Sequence, residues 1–347
     1  MALQDEVARA IASHVQVKLT PQEKALLTSA RPISALAHEH YLKGRYFLSK
    51  RNLESLKKSI EYLQQALDID PQYGLAFAGL ADAYDLLGGY ELVAPGEAFP
   101  KAKAAGRAAL EIDDTLAEAH TALGFASILD FDWLAADQEF KRALELNPNY
   151  ATAHHWYAEY LLNIGQAEAA ISEMERAREL DPLSLVVNMT LGRAYIYGRH
   201  YDRGIEQCRK AMELEPNFAP AHWCIGLAYV GKEMYREAIA EFQNAAALGE
   251  GPLALGALGY AYARAGDTKE ARTVLQRLTM SSPQIYRSPW EIALVYVGLG
   301  EKERAFEWLN RAYEQRDLAA LKLHPLLATL RSDPRFQDLI RRVGLLP

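Results

Sequence analysis

Proline stands at positions 148, 182 and 216, each closing a stretch that ends Leu-x-Pro, so one pattern recurs at an interval of 34 residues. Five residues before these prolines the register extends in both directions. Ala66, Ala109, Ala143, Ala177, Ala211, Ala245, Leu278 and Ala312 are separated by steps of 43, 34, 34, 34, 34, 33 and 34. A period in this range marks a repeat array, in which each unit buries its apolar face only against its neighbours. It overrides the two separate domains that 347 residues would otherwise suggest. Within the unit from Ala117 to Pro148, small or apolar residues fall at His120, Leu123, Gly124 and Ser127, then at Ala136, Phe140 and Ala143. Spacings of three and four place them on one stripe of each of two helices. The turn lies around Asp130 to Asp132, and Pro148 stops the second helix. Gly165, Gly266 and Gly300 mark the same turn in other units, as a helix C-terminus favours. Each unit therefore reads as a helix-turn-helix hairpin, and eight run from about Ala37 to Asp317.

Aligned, the units form columns. Ala81, Gly124, Ala158, Gly192, Gly226, Gly259 and Ala293 are all small, which predicts close approach of the two helices of a hairpin. The preceding column, Leu80, Leu123, Tyr157, Leu191, Ile225, Leu258 and Ile292, is large and apolar and should fill the core. Three residues after the small column come Tyr84, Ser127, Leu161, Tyr195, Tyr229, Tyr262 and Tyr296, whose rings should pack on the next unit with the hydroxyl at a polar edge. The pattern resembles the tetratricopeptide repeat, with an aromatic, Leu-Gly, Tyr, Ala-x-x-x-Phe and a closing Pro. It is carried by Leu123-Gly124, Leu191-Gly192, Tyr195, Ala136-x-x-x-Phe140, Ala238-x-x-x-Phe242 and Pro148. Phe77, His120, His154, Asn188 and His222 replace the family's usual tryptophan, and the first two units carry insertions. The resemblance implies an all-α, right-handed superhelical solenoid of about eight such units with a C-terminal capping helix. Residues 1–34 would be leader helices, 35–317 the array and 318–347 capping helices.

The leader has an amphipathic stretch from Leu3 to Val17, an N-cap pattern at Thr20-Pro21 and a linker at Arg31-Pro32-Ile33. Together with Ile112-Asp113-Asp114, the insert Gly88 to Pro100 and the ending Asp333-Pro334-Arg335-Phe336, it resembles the C-terminal repeat region of bacterial multidomain signalling proteins. There, repeats follow a TolB-like segment and a winged-helix domain, a serine/threonine kinase or an adenylate cyclase. That resemblance implies a sensory or docking module whose effector is not in this chain.

Composition narrows the function. Lysine plus arginine total 38 against 45 aspartate plus glutamate, a net charge of −7, and no basic run suggests nucleic acid. No stretch approaches the roughly 18 apolar residues of a membrane helix. The acidic start lacks a secretion signal, so the cytoplasm is the expected setting, with a membrane-anchored parent as the alternative. Two cysteines cannot make a disulfide framework, and Cys208, in the Phe column, reads as a small core hydrophobe.

Chemistry is not evident. His120, His154 and His222 share one column in different hairpins, which keeps them too far apart for one metal ion, and they read as stand-ins for the aromatic ring. His154 and His155 point about 100° apart on one helix. No Gly-x-Ser-x-Gly, phosphate loop or His-Glu-x-x-His is present. The expectation is a non-enzymatic scaffold with no metal and no cofactor.

What such a chain offers is its concave wall, lined by the first helix of each hairpin. The resemblance puts groove residues one, five and eight positions after the aromatic column. Among these are Phe125, His155, Glu159, Met189, Arg193, Ile196, Trp223, Leu227, Tyr260, Trp290 and Leu294. This aromatic and aliphatic lining predicts a protein or peptide partner with an apolar or amphipathic segment. The competing expectation is that part of it packs on the leader or the insertion. Oligomeric state is left open.

Overall fold

A computed structural model describes residues 33–90, 92–249, 251–280 and 286–345. The leader readings at 3–17 and 20–21 lie outside the described residues. Sixteen helices follow as eight antiparallel hairpins: α1 (Ala35–Leu48) with α2 (Leu53–Ile69), α3 (Gly74–Gly89) with α4 (Pro95–Ile112), α5 (Ala117–Leu129) with α6 (Trp133–Leu146), and α7 (Ala151–Ile164) with α8 (Ala167–Leu180). The series continues with α9 (Leu185–Tyr197) and α10 (Tyr201–Leu214), α11 (Ala219–Gly231) and α12 (Tyr235–Ala247), α13 (Gly251–Ala265) and α14 (Thr268–Thr279), and α15 (Pro289–Leu299) and α16 (Lys302–Glu314). A 3₁₀ helix (Pro325–Leu330) and α17 (Pro334–Arg342) complete the described chain, which contains no strand. The insert at 88–100 lengthens α3 and α4 and leaves a short bridge, where the Leu92 and Val93 amides bond the Leu87 carbonyl.

The columns explain the packing. A Cβ at Gly124 or Gly226 would run into the rings of Phe140 or Phe242, both fully buried on the paired helix. At Gly192 it would strike Cys208, which occupies the corresponding place on α10. The small column is thus the slot that receives the Phe column. Caps start several helices: Asp132 accepts from the Ala135 amide at 3.1 Å, and Ser288 from the Glu291 amide at 3.1 Å. Gly165, Gly266 and Gly300 all take positive φ at the turn, but Phe131, Arg199 and Glu233 hold the same left-handed place in hairpins that lack a glycine there.

The hydroxyls of the Tyr column meet polar side chains, two of them on the preceding unit. Tyr195 donates to Glu175 of α8 at 2.6 Å, and Tyr262 accepts from Gln243 of α12 at 2.8 Å. Cys208 is a buried core residue, yet it is also bonded to Cys224, because α10 and α11 bring their Cα atoms to 6.4 Å at the junction of two hairpins.

The ending does more than cover the last hairpin. After Asp317 the chain turns back across the first helices of earlier units. The Ala320 amide donates to Asn163 Oδ1 of α7 at 2.9 Å, and the Lys322 side chain lies against Gly165. The 3₁₀ helix packs on α11 and α15. Trp133, at the start of α6, donates its indole N–H to the Val343 carbonyl at 2.7 Å. Phe131 stacks on Tyr313 with centroids 5.8 Å apart. The superhelix therefore curls far enough for its third and eighth hairpins to meet.

Candidate functional site

The position five residues after the aromatic column carries the polar part of the concave wall. Glu159 on α7 and Arg193 on α9 occupy it in neighbouring hairpins, and the guanidinium donates to the carboxylate. His155, one turn earlier on α7, has Nε2 3.7 Å from Glu159 and 3.3 Å from Thr190 Oγ1. Burial alone would raise the Glu159 carboxyl, but Arg193 and His155 outweigh it and hold it down to about 2. Burial depresses the His155 imidazole against the opposing pull of Glu159. The same register holds a second pair that the sequence reading missed, Arg45 of α1 bonded to Asp82 of α3 at 2.8 Å. Burial pushes Asp82 up to about 6 against the opposing pull of Arg45. An arginine and an acid in one column of adjacent units was the available signal.

Five expected groove residues converge. Phe125, His155, Glu159, Met189 and Arg193 line one cavity of about 110 Å³ where α3, α5, α7 and α9 meet. Phe125 packs on Trp156 with ring centroids 4.7 Å apart. Arg51, whose guanidinium bonds the Tyr90 hydroxyl at 2.9 Å, stands at the rim. Apolar walls thus enclose a polar floor.

The other six, Ile196, Trp223, Leu227, Tyr260, Trp290 and Leu294, do not form an open lining. None is more than 5% exposed. The described cover is the chain's own ending rather than its insertion. His324 sits edge-on to Trp290 at 5.4 Å and 5.7 Å from Tyr197, while the 3₁₀ helix lies on α11 and α15. Curvature summed over several hairpins brings this segment back, which no local pattern reveals.

The column histidines have a role of their own. His120, His154 and His222 each place Nδ1 on a glutamate of the paired helix, Glu139, Glu173 and Glu241, at 2.6, 2.6 and 2.7 Å. Among the described residues no group of three or more His, Cys, Asp or Glu could hold a metal ion, and no helix is long and apolar enough to cross a membrane.

Sequence models described as Tetratricopeptide repeat match residues 48–73, 139–172, 186–218, 224–285 and 257–320, more than half of the chain together. Transcriptional regulator HilA of Salmonella typhimurium is 26% identical over 131 residues, 38% of this chain and 24% of that protein. The chain thus spans about a quarter of the length of this relative, a likeness too partial to carry the narrower resemblance to multidomain signalling proteins. Yeast Tom70 superposes with a TM-score of 0.53 at 16% identity, over 90% of this chain and 69% of that one. Cut9 in the APC/C Cut9-Hcn1 hetero-tetramer gives 0.54 at 18%, over 98% and 59%. At these identities the likeness is one of fold.

Proposed function

The chain belongs to the tetratricopeptide repeat family, and from that premise we propose that this interaction scaffold takes a partner's peptide segment on its concave wall. One observation carries the reading: groove positions from three successive hairpins, Phe125, His155, Glu159, Met189 and Arg193, meet at a single cavity. Its walls suit an apolar stem and its floor a polar tip, so an amphipathic segment is the favoured ligand. Glu159 and Arg193 are ion-paired with each other and orient a ligand rather than attacking one.

The test is capture of peptides from a displayed random library by the full chain, repeated with Phe125→Ala and Met189→Ala. Loss of about tenfold or more in affinity is expected, since both side chains line the cavity. Equal capture by wild type and both variants, or no capture by the wild type, overturns the reading.

A further inference from the structure

Residues 318–330 read Leu-Ala-Ala-Leu-Lys-Leu-His-Pro-Leu-Leu-Ala-Thr-Leu, five leucines and one histidine before the last turn's leucine, with a single charged side chain. A segment that merely closed the solenoid would touch the last hairpin alone. This one reaches Asn163 of the fourth hairpin, Tyr197 of the fifth, α11 of the sixth and Trp290 of the eighth. Leu326, Leu327 and Leu330 are essentially fully buried there. Between Asp317 and α17 its only regular structure is a six-residue 3₁₀ helix, so side-chain seating holds it more than backbone bonding does.

The seam it forms is polar and incompletely matched. Trp223 Nε1, Arg193 Nε and Arg331 Nε are buried N–H donors without a hydrogen-bond partner among the described residues, and His324 Nδ1 is likewise unpartnered. Arg193 lies over the Tyr197 ring, whose centroid is 5.7 Å from that of His324, and Arg331 donates to the His324 carbonyl at 3.4 Å. Buried donors in a permanent core are almost always paired. Here three remain unpaired on the segment's flank and on the helices it covers, and the segment's His324 supplies no negative charge.

We infer that this part of the concave wall is a receptor for a leucine-rich segment bearing an acidic or amide acceptor where this chain has His324, and that residues 318–330 are its built-in occupant, displaced when such a partner binds. The inference rests on the scaffold reading and adds the partner's chemistry and its competitor. An acceptor at that point would take a hydrogen bond from the wall's unmet Arg193 donor and, if a carboxylate, would face that guanidinium.

The experiment uses the full chain and two labelled peptides spanning 317–331, one native and one carrying His324→Glu. Fluorescence anisotropy should show the substituted peptide binding about tenfold more tightly than the native one. Hydrogen exchange at the Leu323, His324 and Leu327 amides of the chain, which bond within the segment, should quicken as the substituted peptide is added. A full chain with Leu326→Ser and Leu327→Ser, which alters the occupant and not the wall, should bind both peptides more tightly in the same order. Equal binding of the two peptides, absence of binding to both chains, or binding with unchanged exchange overturns the inference. Library peptides that need Phe125 and Met189 but leave that exchange unaltered would overturn it while leaving the scaffold reading intact.

Discussion

His120 and His154 each hold two acceptors. Their Nδ1 atoms meet Glu139 and Glu173 at 2.6 Å, and their Nε2 atoms meet the carbonyls of Asp114 and Pro148 at 3.1 Å. A carboxylate and a carbonyl only accept, so both contacts are fully made only by the doubly protonated ring. Burial works against that charge, but the glutamate and the carbonyl outweigh it, and both pKa values are raised. For a base whose folded pKa lies above its unfolded value of about 6.5, the stabilisation is complete below that value and is lost as pH rises through the folded one. The melting temperature should therefore fall as pH rises above about 6.5. The double variant His120→Phe, His154→Phe, which restores a plain ring, should lack this slope. Parallel curves for the two proteins would refute the assignment. Position was legible at these sites and partnership was not: the ring's place in the column follows from the period, while its glutamate lies 19 residues on, on the other helix. The recurrence at 120/139, 154/173 and 222/241, with the amide pair Asn188 and Gln207 in the same register, was readable from the sequence once that spacing was sought.

Among the elements, the returning segment responds to pH with the opposite sign. His324 packs on Tyr197 of α9, which Arg193 overlies, and on Trp290 of α15, and its carbonyl accepts from Arg331 beyond the 3₁₀ helix. Burial, then Arg193 and Arg331, holds its pKa down to about 3. A base depressed in the docked state contributes stability above its free value of about 6.5, and loses it as pH falls from there toward about 3. Exchange at the Leu323, His324 and Leu327 amides, corrected for chemical exchange and referenced to α7, should rise between about pH 7 and about pH 5. His324→Gln should abolish the rise, and its persistence in that variant would show that another group is responsible. The hairpins themselves were legible because each is specified by about 34 local residues, with Gly124 and Phe140 fitting each other within one unit. The burial of Trp223, Leu227 and Trp290 was not, because their cover comes from residues near 324 that no repeat column includes.

For the molecule as a whole, that return changes what kind of solenoid this is. In an open array each hairpin answers only to its neighbours, and local losses of stability stay local. Here the third hairpin is tied to the eighth by Phe131 on Tyr313 and by Arg316, just beyond α16, over the Phe131 ring at 4.7 Å, and to the end of α17 by Trp133 to Val343. These contacts couple units more than 170 residues apart in the chain, so the curvature of every intervening hairpin enters the stability of the closure. Replacing Trp133 and Phe131 together by Ala removes one hydrogen bond and two half-buried rings, a loss of about 2–4 kcal/mol. None of the columns that define the hairpins is altered, so helix content should stay unchanged. The expected result is a larger radius of gyration in small-angle X-ray scattering, together with faster exchange throughout 318–345. If closure were only a consequence of hairpin geometry, the radius would hold and only the melting temperature would drop. A rise in radius would instead show that the wall's curvature is set in part by the chain's own ending, and that a partner able to lift that ending would also open the superhelix.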